Sequence, residues 1–238
     1  MNYTTLPYRI FPHGDSAITV DFGNTINEAV NNEIIARFNE LKQYPLPGMI
    51  EAVPAYSSLT IYYDVVKVKK SFPAGPGHTA FESIKQQLEE KLQHPVQQNK
   101  VTQRLIKIPV CYEEEYALDI QQLSATKQIS AEEIIQIHTS KNYKVYMLGF
   151  LPGFAYMGEV DERIAMPRKS HPVNIIAGSV GIAGNQTGIY PIASPGGWQI
   201  IGRTALKLFD ANKEEPTLLK SGDMVQFYSI TKNEIKSY

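Results

Sequence analysis

The sequence has little with which to staple, anchor or charge itself. Only one of its 238 residues is cysteine, Cys111, which excludes an internal disulfide and a zinc site built from several thiolates. That usage leads to the expectation of a reducing compartment, the cytoplasm. There is no long hydrophobic run: the most apolar stretch, Val145 to Met157, is interrupted by Gly149, Pro152 and Gly153. The opening MNYTTLPYRIFPHGDS lacks the basic-then-apolar order of a secretory leader, so no membrane partner and no secretion are expected. Charge of either sign is not in excess, with 23 Lys and Arg against 24 Asp and Glu. No global field gathers nucleic acid or anionic lipid, and any anion site must be local.

Several catalytic signatures are missing too. There is no G-x-x-x-x-G-K-[ST] and no H-E-x-x-H, and the five histidines have no metal-ligand spacing, so no metal is expected. Ala177-Gly178-Ser179-Val180-Gly181 approximates a nucleophile elbow but begins with Ala and lacks a strand-to-long-helix setting. Gly75-Pro76-Gly77-His78-Thr79-Ala80 matches G-x-G-x-x-A, yet no βαβ unit follows, and it reads as the start of a helix.

What is present suffices for a core, since 43% of residues are hydrophobic and 20% charged; two modest domains are expected at this length. Three Thr or Ser residues with Glu three positions later, Thr25/Glu28, Thr79/Glu82 and Ser130/Glu133, predict capped helix starts. Behind the first two, Val30, Ile34, Phe38 and Leu41, then Phe81, Ile84, Leu88 and Leu92, recur at helical spacing. Ser16–Phe22, Ile50–Val53 and Leu59–Tyr63 are β-prone, so the first part reads β-α-β-β-α. The polar stretch QHPVQQNKVT has no apolar period and takes the boundary, giving domains 1–97 and 98–238. Beyond it, a strand at Leu105–Val110, a helical pair ending near His138 and a strand at Tyr143–Leu148 are predicted. Ten of the 16 glycines fall between Gly149 and Gly202. Gly and Pro at that density exclude long helices and leave short strands and tight turns, as in a barrel.

The segment Ala177–Thr204 concentrates Gly with Asn185, Gln186, Ser194, Trp198 and Arg203, and reads as a binding surface rather than bends alone. MPRKSHP, Met166 to Pro172, is a Pro-held cationic loop whose Arg168 and Lys169 suit a carboxylate or phosphate, with an ordinary solvated basic turn as the bland alternative. His138 is a candidate acid or base, or a partner for a helix C-terminus. Cys111 reads as packing. YMLGFLPGF with Tyr156 reads either as a core strand or as an exposed apolar groove, a choice that turns on the exposure of Phe150, Phe154 and Tyr156.

HGDSAITVDFG, VPAYSSLTIYYD, IPVCY, YMLGFLPGFAYMG and the block ending PGGWQIIGRT, in that order, resemble the KipI or allophanate hydrolase subunit 1 family, whose members include the B subunit of bacterial ATP-dependent 5-oxoprolinase. The resemblance covers nearly the whole chain. It implies an α+β N-terminal domain followed by a mainly β, cyclophilin-like barrel domain. It implies a cytoplasmic heteromeric complex with the C subunit of 5-oxoprolinase, related to allophanate hydrolase subunit 2, and with the A subunit, the chain alone being inactive. ATP is implied, held mainly on the partner subunits, in the opening of 5-oxo-L-proline to L-glutamate. Two alternatives follow from the same resemblance: an inhibitor that binds a sporulation-type sensor histidine kinase, and subunit 1 of an allophanate- or urea-metabolising enzyme. For the oxoprolinase reading, the expected cations are Arg168, Lys169 and Arg203, and the expected polar contacts are Asn185, Gln186, Ser194 and the Gly196 and Gly197 amides. No catalytic residue is assigned.

Overall fold

A computed structural model describes residues 6–73, 75, 77–96 and 103–237. The chain divides into two compact units, Met1–Val101 and Thr102–Tyr238; the expected boundary at 97/98 lies outside the described residues.

The first unit runs β1 (Arg9–Pro12), β2 (Ala17–Asp21), α1 (Glu28–Gln43), β3 (Met49–Pro54), β4 (Ser58–Tyr63), α2 (Val65–Ser71) and α3 (Ala80–Leu92). Its strands form an antiparallel sheet in the order β1-β2-β4-β3. Period-two alternation turns Ile18, Val20, Leu59, Ile61 and Tyr63 to one face, where they join Ile34 and Leu41 of α1 and Ile84, Leu88 and Leu92 of α3 in one core. Each such aliphatic side chain contributes about 1.5–3 kcal/mol on burial, so this face holds the unit together.

Arg37, only 6% exposed, ties α1 to the end of α3. Its guanidinium donates to Glu33 Oε1 at 2.8 Å, to the Lys91 carbonyl at 2.8 Å and to the His94 carbonyl at 2.6 Å. Carbonyls that a helix end leaves without intrahelical partners are thereby satisfied.

The Thr79–Glu82 capping box forms in both directions, and Ser130 accepts from the Glu133 amide at 3.1 Å. The first helix differs from expectation. Its cap is Asn27, whose Oδ1 accepts from the Ala29 and Val30 amides, because Asn caps as well as Thr and stands closer to the apolar stripe. Two elements of the first unit went unpredicted: β1, four residues ending in Pro, and α2, whose valines are β-prone but whose start is fixed by Asp64 Oδ1 accepting from Val66 and Lys67.

The second unit begins with β5 (Leu105–Cys111), α4 (Ile120–Lys127), α5 (Ala131–Thr139) and β6 (Asn142–Leu148). It continues with β7 (Ala155–Gly158), β8 (Val173–Ile175), β9 (Ser179–Ala183), β10 (Gln186–Ile189), β11 (Ser194–Gly196), β12 (Gln199–Arg203), β13 (Met224–Ile230) and α6 (Lys232–Ile235). Seven strands close a barrel in the order β10-β7-β6-β13-β5-β12-β9, and β8 and β11 pair as a separate ribbon. Among the described residues only the β13–β5 pair is parallel. Ile108, Val110, Val145, Ala155, Met157, Val180, Ile182, Ile189, Ile201 and Phe227 fill the main core.

Candidate functional site

Strand alternation places a second, smaller core on the opposite face of the barrel wall. Ala155 and Met157 belong to the main core. Phe154, of the opposite parity, gathers instead with Ile175, Ala183, Tyr190, Trp198 and Ile200, and Tyr156, of the same parity as Phe154, packs against that group. Gly181 and Gly188 are direct partners across β9 and β10. A Cβ on Gly188 would lie 2.9 Å from Trp198 Cζ3 and 3.1 Å from Phe154 Cζ, and one on Gly181 would lie 3.0 Å from Trp198 Cβ. These two glycines clear the floor on which the Trp198 and Phe154 rings lie.

The rings meet edge to face, with centroids 5.3 Å apart for Phe154–Trp198, 5.2 Å for Phe154–Tyr190 and 4.9 Å for Phe154–Tyr156, the arrangement their quadrupoles favour. Phe154 is buried, Tyr156 is partly exposed and Phe150 is 62% exposed. Phe150 has φ 68°, a conformation that costs a bulky residue energy and persists only where surrounding contacts hold it. It stands edge-on to Phe154 and Tyr190. The motif is therefore a core aromatic and an open aromatic rim together.

A strap from Met166 to Pro172 carries the cations to this rim. The Met166–Gly184 bridge fixes its start, the Pro167 carbonyl accepts from Gln199 Nε2 at 2.9 Å, and the Lys169 amide donates to the Gly197 carbonyl at 2.7 Å. Between these ties Arg168 is exposed and lies over Trp198, 6.0 Å from the ring centroid. Among the described residues no ion pair includes Arg168. Burial pushes the Tyr156 and Tyr190 hydroxyls above the usual phenol range. The positive charge of Arg168 opposes that rise at both, and at Tyr190 a hydrogen bond with the Trp198 backbone opposes it more strongly. The guanidinium and two neutral phenols thus converge.

The other residues expected from sequence are placed as follows in the fold. Ser194 belongs to the ribbon beside the rim, and its Oγ is buried without a hydrogen-bond partner among the described residues. Gly196 gives up its side chain to Tyr190: a Cβ there would overlap Tyr190 Oη and lie 2.6 Å from Ile175 Cδ1. Gly197 serves through its carbonyl, which holds the strap. Lys169 is neutralised by Asp119, Nζ to Oδ2 2.7 Å. Asn185 and Gln186 sit at the β9–β10 turn, where the Asn185 carbonyl accepts from Val160 at 2.8 Å.

Arg203 makes contacts that share no residue with those of Arg168. Its Nε donates to the Ala177 carbonyl at 3.0 Å, and its guanidinium lies 5.9 Å from the Tyr116 ring centroid. His138 has no exposure. The hydroxyl of Tyr112 lies 2.7 Å from its Nδ1, and Thr187 Oγ1 lies 2.9 Å from its Nε2. Because Thr187 gives its own proton to the Gly181 carbonyl, at 3.1 Å, Nε2 carries the imidazole proton and Nδ1 accepts from Tyr112. Burial drives the pKa of the ring from 6.5 down to about 3, and Phe227 stacks on it with centroids 4.5 Å apart. In this geometry His138 is a neutral link in the barrel interior with neither nitrogen free for a substrate proton. Cys111 is buried, with Ile230 and Ile235, and burial raises its thiol pKa.

Among the described residues no three of His, Cys, Asp and Glu gather as metal ligands, and no helix is long and apolar enough to cross a membrane. What is open at the rim is the Phe150 ring, the Arg168 fork and part of Tyr156, while Trp198 and Tyr190, 4% and 1% exposed, form the floor beneath; such an arrangement suits a small molecule bearing a carboxylate.

The family model for the carboxyltransferase domain, subdomain C and D, matches residues 8–219. The chain belongs to this family. Its relatives include the 5-oxoprolinase B subunit of Bacillus subtilis (strain 168), 47% identical over 235 residues that cover 98% of each chain. The 5-oxoprolinase B subunit of Escherichia coli O157:H7 is 34% identical over 223 residues, 92% of this chain and 94% of that one. Among solved structures, the protein named TTHA0988 superposes with a TM-score of 0.75 at 32% identity, over 90% of this chain and 40% of that chain. The present chain therefore spans less than half of that longer protein.

Sequence reasoning passed over Asp119 and Tyr190. Asp119 stands at the N-cap position of α4 but makes no side-chain cap hydrogen bond; its carboxylate reaches Ile200 and Lys169, distant in sequence. Tyr190 lay inside the quoted Gly block without a spacing to single it out.

Proposed function

We propose that this chain is the B-type subunit of a cytoplasmic, ATP-dependent 5-oxoprolinase, inactive alone and completed by subunits of the A and C types. The observation that carries the reading is the 47% identity, over 98% of both chains, to a protein named as the B subunit of a 5-oxoprolinase. The aromatic rim supports it, because 5-oxo-L-proline is a small, flat lactam with one carboxylate. In this reading Arg168 grips the carboxylate, the exposed Phe150 ring covers the lactam and Tyr156 meets its amide, over a floor formed by the buried Trp198 and Tyr190. The finer architecture proposed with it is an α+β N-terminal domain and a cyclophilin-like barrel domain.

A lactam is a stable amide, so hydrolysis needs activation. The γ-phosphoryl group passes to the lactam oxygen, water adds to the carbonyl carbon and the C–N bond opens. A second water then releases phosphate, leaving L-glutamate and ADP. A nucleotide polyphosphate calls for several cations, whereas this rim offers a single unneutralised one. ATP is accordingly assigned mainly to the partner subunits.

The test is reconstitution: the chain is mixed with its A-type and C-type partners and glutamate formation from 5-oxoproline is followed with and without ATP. Turnover that requires all three chains and ATP supports the reading. No turnover, together with tight binding of a sensor histidine kinase, would replace it with the inhibitor reading. Turnover of allophanate or a urea derivative instead would move the chain to a urea-metabolising enzyme.

A further inference from the structure

Asp119 is held by more bonds than a helix cap requires. Its amide donates to the Ile200 carbonyl at 2.8 Å, and its Oδ2 accepts from the Ile200 amide at 2.6 Å and from Lys169 Nζ at 2.7 Å. The side chain thus completes the β12 backbone and holds the strap at once. It is 9% exposed, so the pair with Lys169 is shielded from water and salt more than a surface pair is. Arg168 is bracketed by three fixed points: Pro167 on Gln199, and Lys169 on both Gly197 and Asp119. Two adjacent cations reach the strap, but the charge of one is consumed by the scaffold.

We propose that Asp119 is a positioning and specificity residue that neutralises Lys169, fixes Arg168 over Trp198, and thereby tunes the rim to a singly charged carboxylate rather than a phosphate chain. The proposal rests on the oxoprolinase reading for the identity of the carboxylate, though not for the charge selection. Removing the negative charge while keeping an acceptor for Ile200, as in Asp119→Asn, frees the Lys169 ammonium. The rim then carries two cations on a looser strap.

Trp198 is the only tryptophan in the chain, so its fluorescence reports the rim directly. The intact chain is titrated with 5-oxo-L-proline and, separately, with pyrophosphate, and the three-chain complex is assayed for turnover. The expected result is that the wild type responds to 5-oxoproline and not to pyrophosphate. Asp119→Asn should bind 5-oxoproline about tenfold more weakly and gain a pyrophosphate response. Its KM should rise by a similar factor with kcat changed less. The double variant Asp119→Asn/Lys169→Met should lose the pyrophosphate response again. Unchanged selectivity in Asp119→Asn, with the melting temperature retained, would overturn the proposal, as would a wild-type response to pyrophosphate equal to that for 5-oxoproline. If Asp119→Asn fails to fold, Lys169→Met decides the matter, since it removes the same pair while leaving the Ile200 bonds: retention of wild-type 5-oxoproline affinity and of the wild-type emission maximum would then overturn it. Failure of the oxoprolinase reading looks different. The wild-type complex would show no turnover and no 5-oxoproline response, while the pyrophosphate arm would still report the charge selection.

Discussion

Gly188 stands opposite Gly181 across the β9–β10 ladder, and the paired absence of side chains is what admits the Trp198 ring. Gly188→Ala places a methyl group 2.9 Å from Trp198 Cζ3 and 3.0 Å from the Ala155 carbonyl. Backbone on one side and a packed ring on the other leave the ring to move. The expected loss is about 1–3 kcal/mol of stability with a shifted tryptophan emission maximum. Both are read in one urea titration followed by fluorescence, and an unaltered emission maximum would show that the ring tolerates the methyl.

Acid should destabilise the barrel through His138. Its folded pKa of about 3 lies below the unfolded value of 6.5, so the unfolded chain binds a proton that the folded chain refuses. The neutral ring costs nothing above the unfolded value. As pH falls from 6.5 towards 3, stability is lost at up to about 1.4 kcal/mol per pH unit. Urea unfolding at pH 7, 6 and 5 with Trp198 as probe should show that slope. His138→Gln should flatten it by the same amount, even if its stability at pH 7 is lower, and an equal slope in both proteins would contradict the assignment.

Arg37 should be among the costliest side chains to lose in the first unit. Arg37→Met takes the guanidinium donor from the Lys91 and His94 carbonyls, of which Lys91 keeps the His94 amide, and removes the partner that Glu33 and Glu40 share. Loss of charge-assisted hydrogen bonds of this kind costs about 1.5–3 kcal/mol. Hydrogen exchange at the end of α3 should accelerate in Arg37→Met, and protection equal to wild type would count against the role.

Arg203 should separate from Arg168 in its effects. With its Nε on Ala177 and its guanidinium over Tyr116, Arg203→Gln should lower the melting temperature by a few degrees, corresponding to about 1 kcal/mol. The 5-oxoproline response of Trp198 should stay intact. A lost response with normal stability would return Arg203 to the binding site.

Much of the scaffold was legible in the sequence because local physics decided it. The stripes Ile34/Leu41 and Ile84/Leu88/Leu92 are buried as their spacing requires, and the glycine-dense half forms short barrel strands. The misses have local causes as well: Asn27 out-competes Thr25 as a cap, and the valines of α2 mask a helix held by Asp64. Of the proposed site, Arg168 and Trp198 were singled out by residue type and by crowding in sequence, and the structure places them against each other, with Ser194 in the adjoining ribbon. That Lys169 is tied up by Asp119, that Arg203 makes its contacts elsewhere and that His138 is sealed in the interior depend on pairings distant in sequence. No periodicity encodes such pairings.

The most direct measurement is the steady-state kinetics of the reconstituted three-chain enzyme carrying Arg168→Gln. If Arg168 holds the substrate carboxylate, the KM for 5-oxo-L-proline rises about tenfold or more, while assembly and the melting temperature stay at wild-type values. A wild-type KM in a correctly assembled complex would contradict the assignment of substrate to the aromatic rim.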